Sequence, residues 1–84
     1  MKVEQIANNQ FVVVDNDGYT FQSYETVIAE YLINERKVIL SEHWNCSRTT
    51  SKYLYHFLRG YAGWEVFGKQ DVERMIAEGT AVVL

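Results

Sequence analysis

Proline is absent from this 84-residue chain. Without it nothing stiffens the connections or forces a helix to stop, so glycine, asparagine and aspartate must supply the turns. The single cysteine, Cys46, excludes an internal disulfide. A reducing compartment is then the simpler expectation. The longest unbroken apolar runs, Phe11–Val14 and Ala81–Leu84, have four residues, against the roughly 20 that a membrane-spanning helix requires. The first residues lack the basic stretch and apolar run of a secretion signal. These absences predict a cytoplasmic protein with no membrane partner. Catalytic signatures are missing too. There is no Gly-x-Ser-x-Gly, no dinucleotide-binding glycine fingerprint and no metalloprotease His-Glu pair. The carboxylates are scattered beside turns and form no acid/base pair. The expectation is a non-enzyme that needs no cofactor.

What is present is an apolar fraction of 48% and 14% aromatic residues, enough for one small core. A chain of this size buries about 60–65% of its unfolded surface. Residues 1–84 read as a single domain. The net charge of −3 is unevenly spread. Residues 1–35 set Lys2 against Glu4, Asp15, Asp17, Glu25, Glu30 and Glu35, a net −5. Residues 36–60 set Arg36, Lys37, Arg48, Lys52 and Arg59 against Glu42, a net +4. Residues 61–84 return to −2. A local positive field in an acidic protein suits a polyanion, or is neutralised by the acidic third folding beside it.

Phe11–Val14 reads as a short β-branched strand, with a weaker one at Val3–Ala7 before it. Asp15-Asn16-Asp17-Gly18 predicts a turn, because Asn and Gly tolerate positive φ. The alternating aromatic stretch Tyr19–Tyr24 returns as a strand. Residues 24–33 fit two patterns. Tyr24, Val27, Ile28, Tyr31 and Leu32 fall at helical spacing, with Ser23 as N-cap, while Val27, Ile28, Tyr31 and Ile33 favour a strand. Lys37–Leu40 reads as a strand. From about Thr49 to Arg59 the spacing predicts a helix. Tyr53, Leu54, Phe57, Leu58 and Tyr61 share one arc, and Arg48, Lys52, Tyr55, His56 and Arg59 line the other side. Gly60 is expected to end it in a left-handed conformation. A second helix is expected over about Lys69–Glu78, with stripe Val72, Met75 and Ile76 and Gly79 as stop. Thr80–Leu84 reads as a last strand. The fold class is α+β: a small antiparallel sheet of N-terminal strands, two C-terminal helices packed on it, and that last strand.

Three segments carry candidate chemistry. Ser47, Thr49, Thr50 and Ser51 crowd the first helix start. They act as caps, with Trp44 and Tyr53 fixing the approach angle, or with Arg48 and Lys52 they hold an anion at the helix N-terminus. The outward stripe Arg48, Lys52, Tyr55, His56 and Arg59 is a solvated helix face or a nucleic-acid surface with one stacking ring. Tyr61, Trp64 and Phe67 sit in a loop with glycines at 60, 63 and 68. They close the core, or they are exposed as a protein-contact surface. His43, Cys46 and His56 give only three zinc ligands where a structural site takes four, with Glu42 a paper fourth, so no metal is assigned. A Cys46–His43 nucleophilic pair lacks a visible orienting group.

Phe21-Gln22-Ser23-Tyr24-Glu25-Thr26-Val27-Ile28-Ala29, then Trp44-Asn45-Cys46-Ser47-Arg48-Thr49-Thr50-Ser51-Lys52-Tyr53 and Phe57-Leu58, form a pattern. It resembles that of a family of small phage and mobile-element proteins, a domain of unknown function. The resemblance spans roughly residues 10–60 of this small domain and is loose beyond them. In relatives the position of Val27 can be proline, which implies a strand for 24–33. Cys46 departs from the aromatic residue the pattern carries there. The resemblance implies a viral or prophage origin and no reaction. With the size and the aromatic candidates, it implies an accessory protein that binds and modulates a host macromolecule, such as a defence or nucleic-acid-processing protein. The alternative is direct binding of nucleic acid or a phosphate ligand through residues 48–59.

Overall fold

The structure, a computed structural model, describes residues 1–84. Five strands come first: β1 (Lys2–Ala7), β2 (Gln10–Val14), β3 (Gly18–Ser23), β4 (Thr26–Leu32) and β5 (Lys37–Leu40). Helices α1 (Arg48–Gly60) and α2 (Lys69–Glu78) follow, and β6 (Ala81–Val83) ends the order. All six strands form one sheet in chain order. β1 to β5 are an antiparallel meander, and β6 lies parallel to β5. A parallel pair needs a long crossover, which α1 and α2 provide. The arrangement is the α+β fold that the sequence predicts, with the last strand in place.

The ambiguous segment is a strand. Its helical spacing has a local cause: the β3–β4 register shifts between Phe21 and Gln22. That irregularity leaves Ile28 and Ala29 both buried, while Val27 before them and Glu30 after them are exposed. Two adjacent inward residues break the period of two and imitate a helical stripe. The turn before β3 also differs in detail from its expected form. Neither Asn16 nor Gly18 has positive φ. The turn is held by the Asp15 carboxylate, which accepts from Asp17 N at 3.0 Å, and by Asp15 N donating to Gly18 O at 3.0 Å. Gly18 is required for another reason. A Cβ there would lie 1.9 Å from the Tyr31 carbonyl oxygen on β4. Left-handed backbone occurs instead at Asn9, Tyr24 and Arg36, in the connections between strands.

Strand alternation divides the sheet into two unlike faces. On one, Val12, Phe21, Ile28, Val38 and Leu40 meet Leu54, Phe57 and Leu58 of α1 and Val72 and Met75 of α2 in a single buried cluster. Phe21 stacks on Phe57 at 5.7 Å between centroids. On the other, the register lines up Val3, Val13, Thr20, Glu30, Ile39 and Val82 in one row across all six strands. Neither helix packs there.

α1 starts as a capped helix. Ser47 has extended backbone, and its hydroxyl accepts from Thr50 N at 3.1 Å. Its end differs from expectation. Gly60 stays within the helix and the cap falls on right-handed Tyr61, while the left-handed glycine of the loop is Gly63. Tyr61 N reaching back to Phe57 O keeps the last turn wound. α2 ends as the spacing predicts. Gly79 is left-handed at φ 84, and the amides of Gly79 and Thr80 satisfy the carbonyls of Ile76 and Met75. No helix is long and apolar enough to cross a membrane.

Candidate binding groove

The candidates from the sequence separate into those tied up in structure and those left facing outward. At the helix start, Ser47 is the cap. Thr50 is buried, and its hydroxyl meets that of Ser23 at 3.1 Å. Ser51 is also buried and donates to Asn45 Oδ1 at 3.2 Å. Only Thr49 of the four hydroxyls is exposed and unengaged. The start of α1 is therefore fastened to the sheet through β3 and to the preceding loop through Asn45.

The aromatic loop divides in the same way. Tyr61 and Trp64 pack against the core. Trp64 meets Tyr31 edge-on at 5.2 Å, and Tyr61 stacks on Phe57 at 5.5 Å. The Tyr61 hydroxyl donates to the Glu4 carboxylate on β1. That contact holds the Glu4 carboxyl below its ordinary range, with Lys2 helping. Burial, then the Glu4 hydrogen bond, push Tyr61 up to about 12. These two rings pack on the core as partly buried side chains. Phe67 is the exception, at 71% exposed.

Phe67 is exposed but not loose. Arg59 donates to the Val66 carbonyl at 2.6 Å, and its guanidinium lies 4.9 Å from the centre of the Phe67 ring. On the other side, Asp71 Oδ2 accepts from Phe67 N at 2.9 Å. Val66 between them is buried. The chain is thus pinned on both sides of an aromatic ring that faces solvent. Arg59, grouped in the sequence with the free cations, is used to hold this ring.

The loop's return path brings Phe67 beside the outer face of α1. Asn45, Cys46, Ser47, Arg48, Ser51, Lys52, Tyr55 and Phe67 line one open groove of about 680 Å³. Its rim carries two cations, Arg48 and Lys52, and two rings, Tyr55 and Phe67. Positions 48, 52, 55 and 59 recur on one helical face. His56 lies about 40–100° around the helix from them and is exposed outside the groove. Lys52 Nζ lies 5.4 Å from the centre of the Tyr53 ring, within reach of a cation–π contact.

The Cys46 and His43 side chains line a second hollow with Ser23, Tyr24 and Thr26. His43 Nε2 is 3.5 Å from Glu42 Oε1. The two residues are joined only through their backbones, Cys46 N donating to His43 O. No group of three or more His, Cys, Asp or Glu side chains gathers in a geometry that holds a metal ion.

Two features of the groove escape a reading of the sequence. Phe67 joins Tyr55 because an irregular loop folds back, and no periodicity reports a loop's path. Asn45 and Cys46 form a wall because Ser51 anchors Asn45. Neither comparison with curated proteins nor comparison with solved structures returns a match. The model of a family of unknown function, DUF8033, matches residues 1–74, which takes in β1 to β5, α1 and the whole groove. The chain belongs to that family.

Proposed function

We propose that this protein is a non-enzymatic binding protein whose contact surface is the groove between α1 and Phe67. The observation that carries this reading is the fixed, exposed Phe67 ring beside Tyr55, Arg48 and Lys52. Rigid aromatic anchors lose little entropy on binding and dominate interface energetics. The two cations select a partner segment that is acidic or carries a phosphate. The fuller reading, which rests on the family pattern, is a small accessory protein of phage type. It acts in the host cytoplasm by occupying, and so inhibiting, a host defence or nucleic-acid-processing protein.

The second reading is direct binding of single-stranded nucleic acid in the same groove. Two rings and two cations along one track favour it, since single strands are held by stacking and backbone charge. The net charge of −3 weighs against tight non-specific binding, which depends on many phosphate contacts.

One experiment separates them. Labelled single-stranded DNA and RNA are titrated with the protein at low and moderate salt, alongside affinity capture from a bacterial host lysate treated with nuclease. The protein-binding reading expects no oligonucleotide affinity, and a captured protein that is lost with Phe67→Ala while the fold is retained. Oligonucleotide binding that falls steeply with salt and weakens with Arg48→Ala and Lys52→Ala would replace it with the second reading. Capture that is indifferent to Phe67→Ala and Arg48→Ala would remove the groove from both.

A further inference from the structure

The open face of the sheet is a second surface, on the side of the molecule away from the helix layer. Along its central row lie Val3, Val13, Thr20, Glu30, Ile39 and Val82. Val27 and Leu84 extend the apolar area beyond the row, at 51% and 81% exposed, and both border a shallow hollow with Ile39. In a chain that is 23% charged, the middle of this face has two charges, Glu30 on β4 and Lys37 on β5. They are diagonal neighbours in the register, since Glu30 sits opposite Ile39 and Leu32 opposite Lys37. Both are exposed, and no ion pair joins them within the chain.

We propose that this face is the interface of a homodimer, with the open sheets of two copies packed against each other. A two-fold contact must be self-complementary, because each residue that touches a partner residue is touched by it in return. This face meets that condition. It is mainly apolar, and the two charges nearest its middle, Glu30 and Lys37, are of opposite sign, with Asp15 and Asp17 at its β2–β3 end beside Thr20 and Glu30. A two-fold axis passing between Glu30 and Lys37 sets each against the other's opposite in the second copy.

Area sets the strength. Six strands about 4.8 Å apart, with a rise of about 3.3 Å per residue, make a face roughly 24 Å by 18 Å. Two such faces together bury on the order of 1,000 Å², near the lower bound for a specific contact. The dimer is therefore of modest affinity, formed in the micromolar range rather than permanent. The two sheets lie about 10 Å apart with strands about 30° from parallel, as in sandwiches. The groove is left open on the outside of each copy, so dimerisation presents two grooves at once.

The test is sedimentation velocity on the full chain from low micromolar to several hundred micromolar. The mass is expected to rise from 9.8 kDa toward twice that value, with no change in circular dichroism. Val27→Glu is expected to hold the protein at monomer mass across the range. Glu30→Lys weakens the dimer at least tenfold, and the double variant Glu30→Lys/Lys37→Glu restores it. Arg48→Ala, in the groove, leaves it unchanged. Should Val27→Glu fail to fold, isotope-filtered NOEs between labelled and unlabelled wild-type chains decide the matter, with contacts expected among Val3, Val27 and Val82 methyls. A wild-type monomer at every concentration overturns the proposal. So does a dimer that persists in folded Val27→Glu, or one without those intermolecular NOEs.

Discussion

The two faces of the sheet are made from the same strands, one residue out of step, and they differ in almost every physical respect. The covered face holds the whole buried cluster, the Ser23–Thr50 hydroxyl contact and the Glu4–Tyr61 latch. The open face holds a row of half-exposed β-branched residues and two charges. The difference shows where this small domain draws its stability. Nearly all of it comes from the sandwich of one sheet face with α1 and α2, and the open face contributes little until something covers it. The sharpest way to break this comparison is to truncate one large side chain on each face. Phe57→Ala removes a ring that is 0% exposed and stacked on Phe21, and is expected to cost about 3–5 kcal/mol in urea unfolding. Val27→Ala, on the open face, is expected to cost under ~1 kcal/mol at concentrations where the chain is monomeric. Comparable losses at the two positions would mean that the faces are not energetically distinct.

The covered face also contains its own defect. Gln10 is 0% exposed on β2, and neither its Nε2 nor its Oε1 has a hydrogen-bond partner. Its register neighbour Ser23 is engaged with Thr50. An unsatisfied buried polar group costs about 1–3 kcal/mol, and an apolar replacement of similar shape removes that cost. Gln10→Met is therefore expected to stabilise the fold by about 1–2 kcal/mol, seen as a higher urea midpoint with an unchanged slope. A loss of stability would show that the amide is satisfied by an internal water, which the substitution would displace.

The contrast between the faces also explains what the sequence could and could not reveal. The α+β class, both helices and the two-sidedness of α1 follow from hydrophobic spacing, and those residues lie where the spacing puts them. Residues 24–33 fitted two patterns because of one bulge: Ile28 and Ala29 both turn inward, and a period-two pattern takes on a helical look. Gly60 misled because a glycine after an apolar stripe is a stop only if the next residues cannot keep the last turn wound, and Tyr61 does. The groove was legible in halves. Arg48, Lys52 and Tyr55 share a helical face by arithmetic, but their meeting with Phe67 depends on Arg59 and Asp71 pinning an irregular loop. That pairing of Arg59 with the Val66 carbonyl is a tertiary contact with no local signature. The split among Tyr61, Trp64 and Phe67 is equally tertiary, set by which rings find Tyr31 and Phe57.

The same contrast gives a test of the α1 start. If the hydroxyl cluster belongs to the covered face, breaking it should lower stability and leave the groove alone. Ser47→Ala removes the acceptor for Thr50 N and is expected to cost about 0.5–2 kcal/mol, the usual range for a lost N-cap. Partner affinity, measured on the folded variant, is expected to be unchanged. A variant of full stability that no longer binds would place Ser47 in the groove's function and assign the anion reading to the helix start.

The smallest effect is a matter of pH and concerns the latch between β1 and the loop after α1. In the folded chain the Glu4 carboxyl lies below its ordinary 4.5, chiefly through the Tyr61 hydroxyl. Tyr61 is pushed from 10.0 up to about 12, first by burial and then by Glu4. The signs are opposite at the two ends of the scale. Above pH 4.5 the unfolded chain has lost the Glu4 proton as the folded chain has, so the carboxylate's contribution is fully present. It is lost as pH falls through the lower folded value. Below pH 10 both states keep the Tyr61 proton, so the hydroxyl's contribution is full there and declines as pH rises toward about 12. Tyr61→Phe removes both arms at once. The difference in Tm between wild type and Tyr61→Phe should therefore form a plateau between those limits and shrink outside them. Because the contact is only part-buried, the plateau is low, and added salt should weaken it further. A difference that stays level from pH 10 to pH 12 would mean that Tyr61 contributes only its ring, packed on Phe57 and Tyr19, and that β1 is fastened to the sheet by strand pairing alone.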